Sequence, residues 1–276
     1  MDFENVLILI QKELRDALRN RWFLLYAVAF AGLSLALAWF SVSGAGSYGV
    51  AGFGRTTAGL INLILLIVPL MGLTLGAMSL AGERERGTLV YLLAQPISGA
   101  ELLVGKFVGL ALALAAALTI GFGLTGLMMA VAGGGGDFMV YLTLLALSVL
   151  LAVASLSVGF LISAAVRRAA TAVGLALFLW LILVYFGDLG LMGTAAVVQL
   201  NVQQLLALAL INPLQVFKIA AVLNLRENLE ILGPAGIYAF RTYGGALWAL
   251  LVGLLLVWIV APFALATRVF QKRGVL

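Results

Sequence analysis

The chain has 276 residues, of which 64% are hydrophobic and only 10% are charged, and its formal net charge is +5. Soluble domains carry about a quarter of charged residues, so this composition predicts an integral membrane protein. Histidine and cysteine are both absent, which excludes a bis-histidine haem, the usual zinc sites, a serine–histidine protease and a disulfide framework. The basic residues cluster beside apolar runs, a distribution that indicates membrane orientation rather than nucleic-acid binding.

The first residues of the chain predict an amphipathic helix. Apolar side chains recur at intervals of three and four, at Phe3, Leu7, Ile10, Leu14 and Leu18. Charged side chains occupy the other faces, which is typical of a helix in the membrane interface, and we assign this helix to residues 1–21. The segment lacks the layout of a cleavable signal peptide, so we expect the first span to be retained.

Six apolar stretches are long enough to cross a bilayer, which takes about 20 residues. They lie within Trp22–Val42, Thr56–Ala81, Phe107–Ala132, Phe138–Val166, Ala169–Gly187 and Thr242–Thr267. The second stretch contains a Gly72-x-x-x-Gly76 pair, which permits close approach of a neighbouring helix. The predicted fold class is an all-α integral membrane protein with six transmembrane helices, and residues 1–276 are predicted to form a single transmembrane domain.

The segment 188–241 is harder to assign. Its apolar part, Ala195–Ile211, is interrupted by several Asn and Gln residues and is closed by Asn212-Pro213. The distribution of basic residues is the same for six and seven spans, so it does not decide between them. Because 17 residues with a polar stripe are short for a span, we predict an extracytoplasmic or re-entrant segment. Residues Leu214–Leu225 are predicted as a further amphipathic helix.

The densest charge between two apolar runs lies in residues 82–106. Burying Glu83, Arg84, Glu85 and Arg86 would cost about 2.5–3.5 kcal/mol each at a bilayer centre, so we expect a solvated loop outside the lipid. Thr88–Ala94 follows as a short helix with an apolar face of three leucines, Leu89, Leu92 and Leu93. Gln95-Pro96 ends that helix, because a residue before proline avoids the helical region.

A second helix is predicted to begin directly after this stop. Ser98 followed three residues later by Glu101 is the pattern of a capping box, in which each side chain accepts a hydrogen bond from the other residue's amide. A loop that served only topology would not need an amphipathic helix with an ordered stop and restart. We therefore predict a docking element whose apolar anchors bind in the groove of a partner protein.

Residues Gly99–Phe107 resemble a phosphate-binding loop only superficially. Five residues rather than four separate Gly99 from Gly105, and Phe107 follows Lys106 in place of the Ser or Thr that would bind magnesium. We interpret Lys106 as lying at the cytoplasmic mouth of a span. The chain is therefore predicted to be no enzyme and to have no cofactor of its own. The scarcity of ionisable residues within the spans also disfavours an ion-coupled transporter.

The charged loop resembles the first cytoplasmic loop of ABC transporter permeases of the type-2 exporter (ABC-2) class. The matching pattern comprises the glutamate-rich start, Gly87-Thr88, the leucines, Pro96 and Leu102-Leu103-x-Gly105-Lys106. The N-terminal helix and the six-span plan extend the similarity over most of the chain. Within the class, the segments Gly105–Gly109, Gly174–Leu177, Phe186–Leu189 and Asn212-Pro213 resemble the Nos permeases, which serve nitrous oxide reductase maturation. Arg86 departs from the class, in which acidic residues are frequent at this position.

The resemblance implies a permease that works with separate cytoplasmic ABC ATPase subunits, which bind the ATP and Mg. It also implies a homodimer with a second permease copy, a periplasmic accessory protein, and a place in the inner membrane with both termini cytoplasmic. The expected ATPase-coupling residues are Glu83, Glu85, Gly87, Thr88, Tyr91 and Leu92, with Ser98 and Glu101 as the structural cap. The expected function is export of a sulfur or copper-site precursor. Alternatives are export of a polymer, lipid or drug by the same class, or a quinone-binding or anchor subunit of a respiratory complex.

Overall fold

The computed structural model describes residues 3–44, 52–131, 138–187, 201–225 and 233–273, and within them the side chains of 41–44, 52–58 and 233–237 are not described. The described residues form helices and no strand. In chain order the helices are α1 (Phe3–Arg19), α2 (Arg21–Gly44), α3 (Gly52–Glu85), α4 (Thr88–Leu93), α5 (Gly99–Val131), α6 (Phe138–Ala165), α7 (Ala169–Tyr185), α8 (Val202–Ile211), α9 (Pro213–Asn224), α10 (Gly233–Tyr243) and α11 (Ala246–Arg273). The predicted all-α fold class is confirmed.

Five of these helices, α2, α3, α5, α6 and α11, are long and apolar enough to cross a membrane. Helix α7 is a shorter apolar helix of 17 residues. The five long helices and α7 lie at the positions of the six predicted spans, and by length and composition the bent pair α8–α9 is a further candidate for one span. One boundary was wrong: α3 has 34 residues and continues through the charged stretch to Glu85, so Glu83, Arg84 and Glu85 lie in a helix rather than in a loop. At 1.5 Å per residue α3 is about 51 Å long, well beyond the 30 Å of a hydrocarbon core.

Helix α1, the start of α5 and the end of α11 are close together. The Lys106 ammonium near the start of α5 lies 2.6 Å from the Glu13 carboxylate on α1. A Cβ placed on Gly99, the first residue of α5, would lie 3.4 Å from the Phe270 ring near the end of α11. The start of α5 therefore shares one end of the helix bundle with α1 and with the last turns of α11.

The end of α3 and the α6–α7 turn lie at this same end of the bundle. Arg84 donates a hydrogen bond to the Val166 carbonyl just after α6, and Glu85 accepts one from the Ala169 N–H at the start of α7. Helix α4 follows directly from α3. We call this end, where the ends of α3, α6 and α11 meet the starts of α5 and α7, the α4 end.

Helices α8 and α9 form a bent pair with an angle of 110° between them. The Asn212 side chain at the bend donates to the Leu183 carbonyl near the end of α7, and Asn224 at the end of α9 donates to the Val140 carbonyl near the start of α6. Both contacts lie in the half of the bundle remote from the α4 end. A pair bent in this way is either a broken span or a re-entrant loop, so the extracytoplasmic or re-entrant segment stays a prediction.

Helix α9 differs from its prediction. Leu214–Leu225 was expected to be amphipathic, but nine of the twelve α9 residues are buried. They are Pro213, Leu214, Gln215, Val216, Phe217, Ile219, Ala220, Ala221 and Val222. The helix is enclosed because it packs against α6, α8 and α11 and also touches α3. Residues 188–200 and 226–232 of the same predicted segment lie outside the described residues.

The tightest helix contact joins α3 and α6. A Cβ on Gly72 would lie 2.6 Å from the Ala152 carbonyl oxygen, and one on Gly76 would lie 2.8 Å from the Phe160 amide nitrogen. Gly159 of α6 is equally close to the α3 backbone. The predicted Gly72-x-x-x-Gly76 contact is confirmed, because only residues without a side chain allow two helix backbones to approach this closely.

Candidate functional site

Three charged side chains from three helices meet inside the α4 end. Lys106 of α5 is only 1% exposed, and its ammonium lies 2.6 Å from Glu13 Oε1 and 2.8 Å from Glu83 Oε1. Glu13 belongs to α1 and Glu83 to α3, and both are buried. A buried charge without a partner is very unfavourable, whereas a paired and hydrogen-bonded one is tolerated. We call Glu13, Lys106 and Glu83 the buried triad.

A second lysine approaches the triad from the solvent side. Lys12 lies 3.1 Å from Glu13, 3.5 Å from Glu83 and 3.3 Å from Asp16. Burial lowers the pKa of Lys12, but the three neighbouring carboxylates together raise it by more, so its pKa lies above the usual value. Lys12 therefore stays charged at physiological pH. The second oxygen of Glu83, Oε2, is buried and has no hydrogen-bond partner among the described residues.

Two glycines bring α1 close enough to form the triad. A Cβ on Gly105 would lie 2.6 Å from Leu9 Cβ, and a Cβ on Gly109 would lie 2.7 Å from Glu13 Cβ. The Gly105-x-x-x-Gly109 spacing puts both glycines on one face of α5, because residues four apart are neighbours on a helix. This close contact places Glu13 opposite Lys106.

The remaining charges of the 83–86 stretch bind the backbone of the same chain. Arg84 Nη1 donates to the Val166 carbonyl at 2.7 Å, and Glu85 Oε2 accepts from the Ala169 N–H at 2.9 Å. Arg86 Nε donates to the Gly82 carbonyl at 3.1 Å. Cations at helix C-termini and carboxylates at helix N-termini satisfy the unpaired backbone groups there. The prediction of a loop was wrong, because residues 83–85 belong to α3 and Glu83 is buried, whereas Glu85 and Arg86 are exposed as expected.

The predicted short helix is confirmed as α4, with one residue fewer at its end. Gly87 adopts φ 74°, a left-handed conformation that favours glycine, between α3 and α4. Thr88 Oγ1 then donates to the Glu83 carbonyl at 3.2 Å. Together these features fix the direction in which α4 leaves the end of α3.

The outward face of α4 is not the one expected from its leucines. Leu89 is fully buried in the chain's own core, and Leu92 and Leu93 are half-buried. Val90 and Tyr91 point outward, with 56% and 78% of their surfaces exposed. The prediction of three leucine anchors for a partner was wrong for Leu89, because that side chain holds α4 onto the bundle.

The predicted capping box at the start of α5 is present. The Ser98 N–H donates to Glu101 Oε2 at 2.9 Å, and the Glu101 N–H donates to Ser98 Oγ at 3.2 Å. The pair satisfies two backbone donors that the first turn of a helix leaves free. It fixes the point at which the chain turns from α4 into α5.

A cavity of 770 Å³ opens between α1, the end of α3, α4 and the start of α5. Its lining comprises Lys12, Glu13, Asp16, Ala17, Arg19, Asn20, Leu75, Met78, Ser79, Glu83, Arg86, Thr88, Tyr91, Leu92, Gln95, Lys106 and Leu110. Apolar side chains alternate with charges of both signs on these walls. Such a cavity can accept a protruding segment of a partner protein that carries both apolar and charged groups.

The structure brings most of the predicted coupling residues together. Glu83, Thr88, Tyr91 and Leu92 line the cavity, whereas Glu85 binds the start of α7 away from it. Sequence reasoning missed the pairing of Glu13 with Lys106. The signal for it was the pair of glycines around Lys106, at positions 105 and 109, which indicates a close helix contact.

Comparison with known proteins assigns the chain to a family. The model of the ABC-2 family transporter proteins matches residues 7–275. A probable ABC transporter permease protein NosY from Stutzerimonas stutzeri is 32% identical over 95% of this chain and 96% of its own length. Another protein of that name, from Pseudomonas aeruginosa, is 33% identical over 96% of this chain and 97% of its own length. The chain therefore belongs to the ABC-2 family and is a NosY-like permease subunit of an ABC transporter.

Proposed function

We propose that this permease couples ATP hydrolysis by a separate ABC ATPase to export, and that the ATPase docks at the α4 end. The observation that carries the docking site is the exposed pair Val90 and Tyr91 beside the cavity. ATP and Mg bind to the ATPase subunit, and this chain supplies the membrane path. A second copy of the permease completes the path as a homodimer.

The α4 end has the features of a protein-binding surface. Tyr91 offers a large and rather rigid side chain, the kind that often dominates binding energy at interfaces. Charged groups at the rim, including Arg19, Asp16 and Arg86, can steer a partner of complementary charge. Because Leu89 and Gly87 fix α4 on the bundle, a force applied to α4 is passed to α3.

Replacing Tyr91 with Asp tests the docking site. We expect Tyr91→Asp to abolish co-purification with the ABC ATPase subunit, because it puts a charge into the centre of an apolar contact. The matched control is Tyr243→Asp, which changes another exposed tyrosine just before α11 begins, remote from the α4 end. Equal retention of the ATPase by both variants would contradict the proposed docking site.

The orientation follows from the same proposal. With the α4 end on the cytoplasmic side of the inner membrane, the N- and C-termini are both cytoplasmic. Basic residues at this end, among them Arg19, Arg86, Arg167, Arg168 and Arg268, support that orientation through the positive-inside rule. Since the chain has no cysteine, Tyr91→Cys and Tyr243→Cys can be labelled one at a time in intact cells. Labelling of Tyr91→Cys by an impermeant maleimide, with Tyr243→Cys protected, would contradict this orientation.

The cargo is proposed from the similarity to the NosY proteins and to the Nos permeases more widely. We propose a sulfur or copper-site precursor for nitrous oxide reductase maturation, delivered to a periplasmic accessory protein. Deletion of the gene should leave nitrous oxide reductase without its complete metal site, and a plasmid copy should restore it. Normal maturation in the deletion strain would contradict this cargo and favour a polymer, lipid or drug exporter.

A further inference from the structure

The helices can be divided into two groups, which pack against each other along the bundle through α2 on α3 and α5 on α6 and are also joined by an ion pair at the α4 end. In the first group, α1 and α2 pack along α5, and we call these three helices the α5 unit. In the second, α3 packs against α6 and α7, and α6 packs against α11, and we call these four helices the α3 unit. At the α4 end the Glu83–Lys106 ion pair, 2.8 Å long and buried, joins the α3 unit to the α5 unit.

Resting on the proposed function, we infer that this ion pair transmits displacement of α4 to the α5 unit and that Lys106 is a positioning residue for transport. Helix α4 is tied to Glu83 by a short connection and by the hydrogen bond from Thr88 to the Glu83 carbonyl. Any ATPase that moves α4 therefore moves Glu83. Because Lys106 is 1% exposed, no bulk water screens the pull of Glu83 on it.

The geometry suits a joint that moves. Lys106 has one carboxylate partner within its own unit, Glu13 at 2.6 Å, and one across the boundary, Glu83 at 2.8 Å. If Glu83 shifts, it draws Lys106 and the paired Glu13 with it, and Lys12 at 3.5 Å also neutralises Glu83. No buried charge is then left unpaired. An unpaired buried charge would oppose the movement.

Two further observations support this mobility. Glu83 Oε2 has no partner among the described residues, so this oxygen does not tie Glu83 to a further neighbour. The cavity of 770 Å³ lies directly against Glu83 and Lys106 and gives them space to move into. By contrast, α1 and α5 are held backbone to backbone at Gly105 and Gly109, so the α5 unit follows Lys106 as one body.

The test measures the distance between the two units in the complete complex with the ATPase subunit. Spin labels are attached at Ile8→Cys on α1 and at Phe178→Cys on α7, which are both exposed positions. The natural chain has no cysteine, so unlabelled chain can dilute the labelled copies. We expect the distance to differ between the nucleotide-free and the vanadate-trapped complex, and we expect Lys106→Met to lose this difference while the ATPase subunit stays bound.

Three variants make the result specific. Lys272→Met removes an exposed lysine near the end of α11 and should keep the full distance change. Lys106→Arg keeps the positive charge and should restore part of the change. If Lys106→Met does not fold, the triple variant Glu13→Gln, Glu83→Gln, Lys106→Met removes the buried charges together and should fold without the distance change.

The outcomes separate this inference from the proposed function. An unchanged nucleotide-dependent distance in Lys106→Met, or in the triple variant, would overturn the inference while leaving ATPase docking intact. Loss of the change in Lys272→Met would also overturn it, because the effect would not depend on the buried ion pair. Failure of the unmutated chain to bind an ABC ATPase subunit would refute the proposed function itself, and the inference would fall with it.

Discussion

The α3–α6 crossing and the α4 end are two differently built parts of one bundle. At the crossing, Gly72, Gly76 and Gly159 let two backbones touch, and no space remains for even one methyl group. At the α4 end, α3 and α5 share a buried ion pair beside a cavity of 770 Å³. The first contact depends on shape and the second on charge.

The difference indicates where the molecule can move. Two closely packed helix backbones resist gradual separation, because the dispersion energy between them falls off steeply with distance. A charged contact acts over a longer range and can exchange partners, particularly where two carboxylates share one ammonium. We therefore expect the α3–α6 crossing to stay rigid while the α4 end adjusts to the ATPase. Four substitutions test this contrast.

The largest effect is expected at the buried triad. Lys106→Met removes the buried cation and leaves Glu13 and Glu83 with the more exposed Lys12 alone, and breaking a buried pair costs up to about 3–5 kcal/mol of folding free energy. The triple variant Glu13→Gln, Glu83→Gln, Lys106→Met should recover most of that loss. The free energies of unfolding of Lys106→Met and of the triple variant are measured in detergent by unfolding with increasing denaturant. Equal stability of Lys106→Met and the unmutated chain would show that the triad carries no strong electrostatic contact.

The next effect is expected at the crossing. Gly76→Ala places a methyl group against the α6 backbone, and overpacking of this kind costs about 1–3 kcal/mol. Gly174→Ala, at a helical position with no atom within 4 Å, should be neutral or slightly stabilising, because alanine is the better helix former. Thermal unfolding of the two variants is compared. A Gly76→Ala variant as stable as Gly174→Ala would contradict the close backbone contact.

A smaller effect is expected at the junction of α3 and α4. Gly87→Ala must adopt φ 74° with a side chain, which costs about 1–2 kcal/mol for a left-handed residue. Gly123→Ala, inside α5 with open space around it, is the control. Hydrogen exchange of the amides of α4 should rise in Gly87→Ala only. Unchanged exchange there would indicate that another conformation of the junction is equally stable.

The smallest effect is expected at the α5 cap. Ser98→Ala removes the hydroxyl that accepts from the Glu101 N–H, and loss of such a cap costs about 1 kcal/mol. Thr143→Ala removes a hydroxyl that binds within its own helix and should change stability by less than about 0.5 kcal/mol. Thermal unfolding distinguishes the two. Equal melting temperatures for both variants would show that the capping box does not stabilise α5.

The features that could be predicted from the sequence are those with local causes. The spans follow from runs of apolar residues, the Gly72–Gly76 contact from its spacing, and the cap from Ser98 and Glu101 alone. Each signal lies within a few neighbouring residues. The family resemblance, carried by the loop 82–106, was confirmed by the family match over residues 7–275.

The features that could not be predicted depend on residues far apart in the chain. Glu13 and Lys106 are 93 positions apart, so no local pattern shows that they are paired. Glu83 and Arg84 were assigned to solvent because burial of an isolated charge is costly, and their partners, Lys106 and Val166, were not visible in the sequence. The burial of α9 similarly depends on helices that follow and precede it at a distance.

The most direct test of the account places a photoreactive amino acid at Tyr91 in the permease–ATPase complex, with Tyr243 as the matched position remote from the α4 end. We expect a cross-link to the ATPase subunit from position 91 and none from position 243. A cross-link from position 243 alone, or an ATPase subunit that remains bound without touching position 91, would contradict it.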